Sequence, residues 1–269
     1  MFDYHVHSTV SFDAYSTMEE CARRAVTLGM TEICFTDHHE LGYPYKDVKP
    51  EFDYDLYFRE LDRARAAAPG LVIRAGIEVA LIPEMLGEIE RDISGREFDF
   101  VLASQHVVRG KDPWYGDYFD DKTLRDGQRL YLEEILTDIS GFTDFNTIAH
   151  IGYVDKYLDK YPRLDEHPRP FQYKDFPELI DDILKVVINR GQGIEVNTSN
   201  YYIYGYPTPH PSIIRRFVEL GGEVVSIGSD AHSADVIGHE FESAYGLLRE
   251  CGAKYVCTFE KRKPNFIKI

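Results

Sequence analysis

Histidine and carboxylate residues recur in this sequence directly after short apolar runs. Two pairs have i, i+2 spacing, His5 with His7 and Asp230 with His232, which places both side chains on one face of an extended chain. Other apolar runs end in single residues of the same kind, namely His38, Glu78, His106 and His150. Imidazole and carboxylate groups with no cysteine nearby suit zinc, manganese or iron. One ion cannot use so many donors, so the sequence predicts two or three divalent metal ions, two of them bridged by a glutamate.

These residues end predicted strands that alternate with amphipathic segments. The strands are predicted over residues 2–7, 32–38, 72–79, 98–106, 146–151, 193–197, 223–229 and 254–259. Their continuous apolar character is typical of strands buried on both faces. Helices are predicted over residues 17–28, 53–68, 83–94, 120–139, 176–189, 211–220 and 240–250. Seven or eight such units favour a closed α/β barrel over an open sheet, and the carboxyl ends of barrel strands meet at one rim.

Composition excludes several classes of protein. The 269 residues are 43% hydrophobic, which excludes a disordered chain, and the net charge of −16 argues against binding to nucleic acid or anionic membranes. No apolar run approaches the roughly 18 residues of a membrane span, and the first residues do not resemble a signal peptide. The four cysteines form no CxxC pair. We therefore expect one domain over residues 1–269, in the cytoplasm, with an oligomeric state that the sequence leaves open.

Three longer connections interrupt the alternation of strands and helices. They cover residues 109–119, residues 155–174 and the tyrosine-rich residues 199–211. Loops of this length in a compact domain often form the walls or lid of a functional site. Packing of the tyrosines against the barrel is the alternative for the third connection.

The motifs at the strand ends, taken together and in order, resemble those of the PHP superfamily, named for polymerase and histidinol phosphatase. They are His5-Val6-His7, Thr36-Asp37-His38, Gly76-Ile77-Glu78, Ser104-Gln105-His106, His150 and Ser229-Asp230-Ala231-His232. The resemblance covers residues 5–232 and is greatest to the histidinol-phosphate phosphatases of histidine biosynthesis. It implies a distorted (β/α)7 barrel, similar to a TIM barrel, with a trinuclear metal centre. It also implies hydrolysis of L-histidinol phosphate, a small phosphomonoester, to L-histidinol and phosphate by a metal-bridging hydroxide.

The resemblance also implies how the ligands are shared among three metal sites. The first site is formed by His5, His7, Glu78 and Asp230. The second shares Glu78 and adds His106 and His150. The third is formed by His38, His232 and Asp13, where other members of the superfamily have a histidine.

The residues expected to bind and turn over the substrate are less closely matched to the family. Lys156 and Arg163 are the candidates for the phosphate-binding cation, since the family's arginine is missing at the expected position. Asn197 could hold a substrate amine or orient a metal ligand. We expect a catalytic role for Asp13, through the third metal site, and a proton for the leaving alkoxide from either His39 or a metal-bound water.

Three other functions stay open at this point. A PHP phosphoesterase could act on another phosphomonoester or on a phosphodiester. A non-catalytic metal-bound module, like the PHP domains of polymerases, would be favoured by missing ligands, but every ligand position is filled here. An amidohydrolase barrel outside the superfamily would usually need a lysine at a strand end, and none is apparent in the sequence.

Overall fold

Seven parallel strands follow one another around a barrel in the computed structural model of the chain, which describes residues 1–46, 52–161, 164 and 168–269. These strands are β1 (Phe2–Val6), β2 (Glu32–Phe35), β4 (Val72–Ala80), β5 (Phe100–Ser104), β6 (Thr147–Ile148), β7 (Gly193–Asn197) and β8 (Val225–Gly228). A two-residue strand, β3 (His38–His39), pairs in parallel with β4. The sequence order of the strands is also their order in the sheet, which confirms the predicted α/β barrel.

The first and last barrel strands meet at a narrow seam, which only a few backbone hydrogen bonds cross. Val6 and Ala231 form an isolated parallel bridge across it. The N–H of His7 donates to the carbonyl of Ala231 at 2.9 Å, and the N–H of Asp230 donates to the carbonyl of His5 at 2.9 Å. Few backbone bonds therefore join β1 to the segment after β8, and candidate metal ligands lie on both sides of the seam.

Helices follow most of the strands at the positions that the sequence predicts. They are α1 (Met18–Thr27), α2 (Tyr54–Ala67), α3 (Leu86–Ile93), α4 (Leu124–Gly141), α5 (Pro177–Asn189), α6 (Tyr201–Tyr204), α7 (Pro211–Glu219) and α8 (Phe241–Glu250). A capping box starts α1, because the Thr17 side chain accepts from the N–H of Glu20 while the Glu20 carboxylate accepts from the N–H of Thr17. The short helix α6 was not predicted and lies in the tyrosine-rich connection. In the described part of the chain, none of the helices has the length and apolar character that crossing a membrane requires.

The predicted strand at residues 254–259 forms, but it is not an eighth barrel strand. As β9 (Tyr255–Glu260) it pairs antiparallel with β10 (Lys263–Lys268). The hairpin covers the amino end of the barrel, where the N–H of Lys261 donates to Asp99 and the N–H of Phe259 donates to the hydroxyl of Tyr4. The barrel rim at the opposite end of the strands stays free for a site.

Candidate metal centre

The predicted metal ligands come from the carboxyl ends of the barrel strands. His5 lies in β1 and His7 directly after it, while Glu78 of β4 lies in register with His38 of β3. The remaining residues follow the ends of β5, β6 and β8, and they are His106, His150, Asp230 and His232. Asp13 belongs to the connection between β1 and α1. The parallel barrel brings these positions to one rim, as the sequence pattern requires.

Glu78 lies at the middle of the cluster and is buried. Its Oε2 atom lies 3.3 Å from Nε2 of His5, 3.4 Å from Nε2 of His7 and 3.0 Å from Nδ1 of His38. Its Oε1 atom lies 3.1 Å from Nε2 of His150 and 3.5 Å from Nε2 of His106. Burial alone would raise the pKa of Glu78, but the surrounding imidazoles outweigh it and hold this pKa well below its usual range. Glu78 is therefore an ionised carboxylate that faces imidazoles on several sides.

Asp230 completes the group predicted as the first site. Its Oδ1 atom lies 3.6 Å from Nε2 of His5 and 3.5 Å from Nε2 of His7. Those two nitrogens are themselves 3.0 Å apart. Burial would raise the pKa of Asp230, yet Lys156 and His5 hold it well below its usual range. Its backbone has φ of 56°, a left-handed conformation that a non-glycine residue adopts at a cost and that is common at functional sites.

The structure also brings together the residues predicted as the third site. Oδ2 of Asp13 lies 3.5 Å from Nε2 of His38 and 3.2 Å from Nε2 of His232. The ring of His7 stacks between these two imidazoles, with centroids 4.2 Å from each. His7 is thus shared between the groups predicted as the first and third sites.

The donor atoms fit divalent cations better than they fit one another. Nδ1 of His38 and Oε2 of Glu78 are buried and 3.0 Å apart, yet neither makes a well-aligned hydrogen bond. When two buried acceptor atoms face each other in this way, their lone pairs repel unless a cation or a proton lies between them. Within the described residues, five groups of three His, Asp or Glu side chains have their donor atoms within 4.8 Å of one another, all of them in this cluster. The cluster can therefore hold divalent metal ions.

Two glutamates that the sequence reasoning missed hold the outer nitrogens of the histidines. Oε1 of Glu195 lies 2.5 Å from Nδ1 of His5, and its Oε2 accepts from the N–H of His150 at 2.8 Å. Oε1 of Glu40 lies 2.8 Å from Nδ1 of His106. A carboxylate on the outer ring nitrogen fixes the tautomer and orientation of a metal-binding histidine. The sequence did contain a signal for Glu195, because it is a single acid inside the apolar strand β7. An acidic side chain in a strand buried on both faces needs a polar partner.

His39 was one candidate for the proton donor, and the structure does not place it among the residues that line the cavity. Neighbouring residues of a strand point to opposite faces, so His38 reaches the cluster while His39 points away from it. Nε2 of His39 lies 3.5 Å from Oδ2 of Asp92 in α3, and its ring packs edgewise on Phe52 and Tyr54. In the described part of the chain, the His39 side chain therefore lies away from the cavity, and its role as a proton donor stays a prediction.

Asn197 is buried in the barrel and does not line the cavity, which contradicts direct contact with a substrate amine. Its Nδ2 donates to Oε2 of Glu195 at 3.2 Å, and its Oδ1 accepts from the N–H and hydroxyl of Ser199. Because Glu195 in turn contacts His5, this geometry is compatible with the other role expected for Asn197, that of orienting a metal ligand, which stays a prediction. Arg163, which was predicted together with Lys156 to bind phosphate, lies outside the described residues.

A cavity of about 430 Å³ opens over the cluster. Aromatic side chains form most of its other walls, namely Phe12, Tyr15, Tyr43, Trp114, Tyr115, Tyr153 and Tyr157. Lys156 is the only lysine or arginine among the described residues that line it, and its Nζ lies 3.1 Å from Oδ2 of Asp230. Two of the three long connections contribute to these walls, while the tyrosine-rich third does not. The hydroxyl of Tyr204 in this third connection instead donates to the carbonyl of Asp155, at the start of the second.

Comparison with known proteins places this architecture among relatives of similar length. A probable histidinol-phosphatase of Clostridium acetobutylicum is 31% identical over 99% of both chains. The histidinol-phosphatase of Lactococcus lactis is 27% identical over 97% of this chain and 95% of its own. The crystal structure of histidinol phosphate phosphatase from Lactococcus lactis, complexed with zinc, L-histidinol and phosphate, superposes with a TM-score of 0.86 at 25% identity over 98% of both chains. A Listeria monocytogenes structure, 20% identical with a TM-score of 0.76 over 90% of this chain and 99% of that one, shares the fold.

The family model for the PHP domain matches residues 3–199. The match includes the ligand positions from His5 to His150 and ends before β8. Asp230 and His232, which follow β8, lie in the part of the chain that only the full-length relatives cover. The seven-stranded barrel, the histidines and carboxylates at its rim and this match lead to one conclusion: the chain belongs to the PHP domain family.

Proposed function

We propose that this protein is a phosphatase that hydrolyses L-histidinol phosphate to L-histidinol and phosphate, in histidine biosynthesis. The observation that carries the proposal is the set of histidines around Glu78 at the base of a cavity that also holds Lys156. The names of the relatives and the zinc, L-histidinol and phosphate bound by the Lactococcus lactis enzyme support this substrate.

We infer that the cluster holds two or three divalent ions. Zinc is supported by the Lactococcus lactis structure, and manganese or iron would suit the same donors. The proposed ligands are those predicted from the family, His5, His7, Asp13, His38, Glu78, His106, His150, Asp230 and His232. When bound, such ions lower the pKa of a coordinated water and neutralise charge that develops on phosphoryl oxygens.

The chain's own residues bind the phosphate and orient the donors. Lys156 presents an ammonium group at the cavity wall, held there by Asp230, and is the proposed partner of a phosphate oxygen. Burial would lower the pKa of Lys156, but Asp230 outweighs it and keeps the side chain charged. Glu195 and Glu40 hold the Nδ1 atoms of His5 and His106, so that each Nε2 points to the middle of the cluster.

The walls of the cavity limit the access of water to the phosphate. Tyr153 and Tyr157 lie beside Lys156, with their rings 5.2 Å apart and edge to face.

Arg163 remains proposed as a second phosphate-binding cation. The location in the cytoplasm and the single domain over residues 1–269 also remain predictions.

The test is phosphate release from L-histidinol phosphate by protein purified with zinc or manganese, with metal content measured on the same sample. Sugar phosphates, nucleotides and a chromogenic phosphodiester are assayed in parallel. We expect a kcat/KM for L-histidinol phosphate at least about a hundredfold above that of any other compound, together with two or three ions per chain. Efficient turnover of another compound alone would overturn the assignment of L-histidinol phosphate as the substrate. Absence of bound metal would overturn the assignment of the cluster as a metal centre.

A further inference from the structure

One carboxylate in the cavity is not used by the metal centre. Among the described residues, five acids line the cavity, and four of them, Asp13, Glu40, Glu78 and Asp230, lie within 4 Å of at least one imidazole of the cluster. The fifth, Asp112, lies in the connection after β5 and has no such contact to an imidazole in the part of the chain that the structure describes. Its position leaves it free for another role.

Asp112 is held by several hydrogen bonds and, among the described residues, forms no ion pair with a lysine or arginine. It is 2% exposed, and its Oδ1 accepts from the N–H of Trp114 at 2.8 Å and from the hydroxyl of Tyr153 at 3.0 Å. The hydroxyl of Tyr43 donates to Oδ2. No lysine or arginine of the described residues lies within 4 Å of this carboxylate. Burial raises the pKa of Asp112 despite these hydrogen bonds, and a bound cation would offset that cost.

Tyr153 connects Asp112 to the metal centre. Its ring lies 4.8 Å from the ring of His106 and 5.4 Å from that of His150, while its hydroxyl reaches Asp112. One tyrosine side chain therefore spans the distance from the cluster to the carboxylate. With metal ions bound, the cavity would be positive at Lys156 and the metal centre and negative at Asp112, with aromatic walls beside it.

This separation of charges fits a short zwitterion. L-Histidinol phosphate has its phosphate ester on one carbon, its ammonium group on the next carbon and an imidazole beyond. A phosphate bound at the metal centre would leave the ammonium group a few bonds away, on the scale of the gap that Tyr153 spans. Its imidazole would then lie among the rings of Trp114 and Tyr115.

We propose that Asp112 binds the substrate's ammonium group and thereby makes the enzyme selective for phosphate esters that carry an amine beside the ester carbon. The proposal rests on the function proposed above and adds the residue that recognises the organic half of the substrate. Asp112 contacts the substrate without touching the phosphorus, so its loss affects substrates with an amine and spares those without one.

The test compares Asp112→Asn with wild type on two substrates, L-histidinol phosphate and its deaminated analogue 3-(imidazol-4-yl)propyl phosphate. For the variant we expect kcat/KM to fall about 10- to 100-fold with L-histidinol phosphate and to change less than about threefold with the analogue. The matched control is Asp117→Asn, because Asp117 lies in the same connection, has a side chain 43% exposed and does not line the cavity. That control should leave both values unchanged.

A second measurement keeps the proposal testable if Asp112→Asn does not fold. Inhibition of wild-type protein by L-histidinol is compared with inhibition by imidazolepropanol, which lacks the amine, and we expect L-histidinol to bind at least about tenfold more tightly. Equal inhibition, or equal losses on both substrates in a folded variant, would overturn the role of Asp112. Failure of wild-type protein to hydrolyse L-histidinol phosphate, while it hydrolyses other phosphomonoesters, would instead overturn the proposed function and the inference that depends on it.

Discussion

The ammonium nitrogen of Lys156 lies 3.1 Å from Oδ2 of Asp230, so the lysine proposed to bind phosphate is held by a candidate metal ligand. The contact fixes a flexible side chain at the wall of the cavity, and it couples phosphate binding to the metal centre. A lysine presents a single point charge, whereas an arginine would bind two phosphate oxygens at once.

Replacing Lys156 by methionine removes this charge and keeps most of the side-chain volume. We expect kcat/KM for L-histidinol phosphate to fall about 10- to 100-fold, because a buried charge-assisted hydrogen bond to phosphate is lost. Steady-state kinetics and metal analysis check this, and the metal content should stay unchanged. Lys185→Met in α5, whose side chain is 51% exposed, is the control. Full activity in Lys156→Met would exclude the phosphate-binding role.

Replacing Glu195 by glutamine tests whether a carboxylate on the outer nitrogen of His5 supports the metal centre. Glutamine keeps the size of the side chain but loses the charge that favours the donor tautomer, so we expect metal affinity to fall about 10- to 100-fold. Competition with a chromogenic chelator measures this affinity without an activity assay. Glu178→Gln, an exposed site on α5, should behave like wild type. Unchanged affinity in Glu195→Gln would contradict the orienting role.

His38 and His39 are neighbours in a strand whose side chains point to opposite faces, so replacing each one separately tests which of them belongs to the metal centre. His38→Ala removes a proposed ligand, and we expect bound metal and more than about 99% of activity to be lost. His39→Ala leaves a gap against Phe52 and Tyr54, so we expect a lower unfolding temperature and a kcat within about threefold of wild type. Thermal unfolding and kcat are measured on both proteins. A large loss of kcat in a folded His39→Ala variant would support the proton-donor role.

Asp138 of α4 predicts a pH dependence of stability away from the metal centre. Burial, together with the nearby Glu134, raises the pKa of Asp138 from 3.8 to about 7, and its Oδ2 has no hydrogen-bond partner. Because the folded state holds this proton more tightly than the unfolded state, stability is highest below pH 4 for this group and falls as the pH rises to about 7. Asp138→Asn should remove this dependence and raise the unfolding temperature at pH 8 by about 2–4 °C, with a smaller rise at pH 5, where only part of the stability has been lost. An equal shift at both pH values would contradict the assignment.

Removal of metal is expected to affect both activity and stability. Dialysis against a strong chelator should abolish phosphate release and lower the unfolding temperature, because anionic Glu78 and Asp230 then face each other and the imidazoles without cations. Zinc or manganese should restore both properties. The unfolding temperature of a His106→Ala variant, which lacks a proposed ligand, should respond less to the chelator than that of wild type. An unfolding temperature insensitive to the chelator would show that the ions contribute nothing to folding.

The sequence predicted the barrel and the clustered ligands because both depend on local patterns. All of the proposed ligands except Asp13 lie at or near the end of an apolar run, and a parallel barrel brings such positions together whatever the loops do. The position of His39 could not be predicted because the strand expected over residues 32–38 breaks at Asp37, whose carboxylate accepts from the N–H of Ser8 and the hydroxyl of Ser11. After that break, His38 begins a separate strand, and only tertiary structure decides which of the two histidines faces the rim.

The other differences also depend on contacts distant in sequence. Glu195 is 190 residues from His5, so nothing local indicates that the two side chains meet. The strand β9 has the composition of a barrel strand, but Lys261 and Arg262 both have positive φ and turn the chain into a hairpin with β10. Asn-Gly is the usual signal for such a turn, and it is missing here.

The narrow seam of the barrel has a consequence for the order in which the protein becomes active during its synthesis. His5 and His7 are synthesised with the first barrel strand, whereas Asp230 and His232 follow the last one. A nascent chain that ends before β8 has no partner for β1 at the seam and lacks two of the proposed ligands. We therefore expect hydrolytic activity to begin only after nearly all of the barrel has been made.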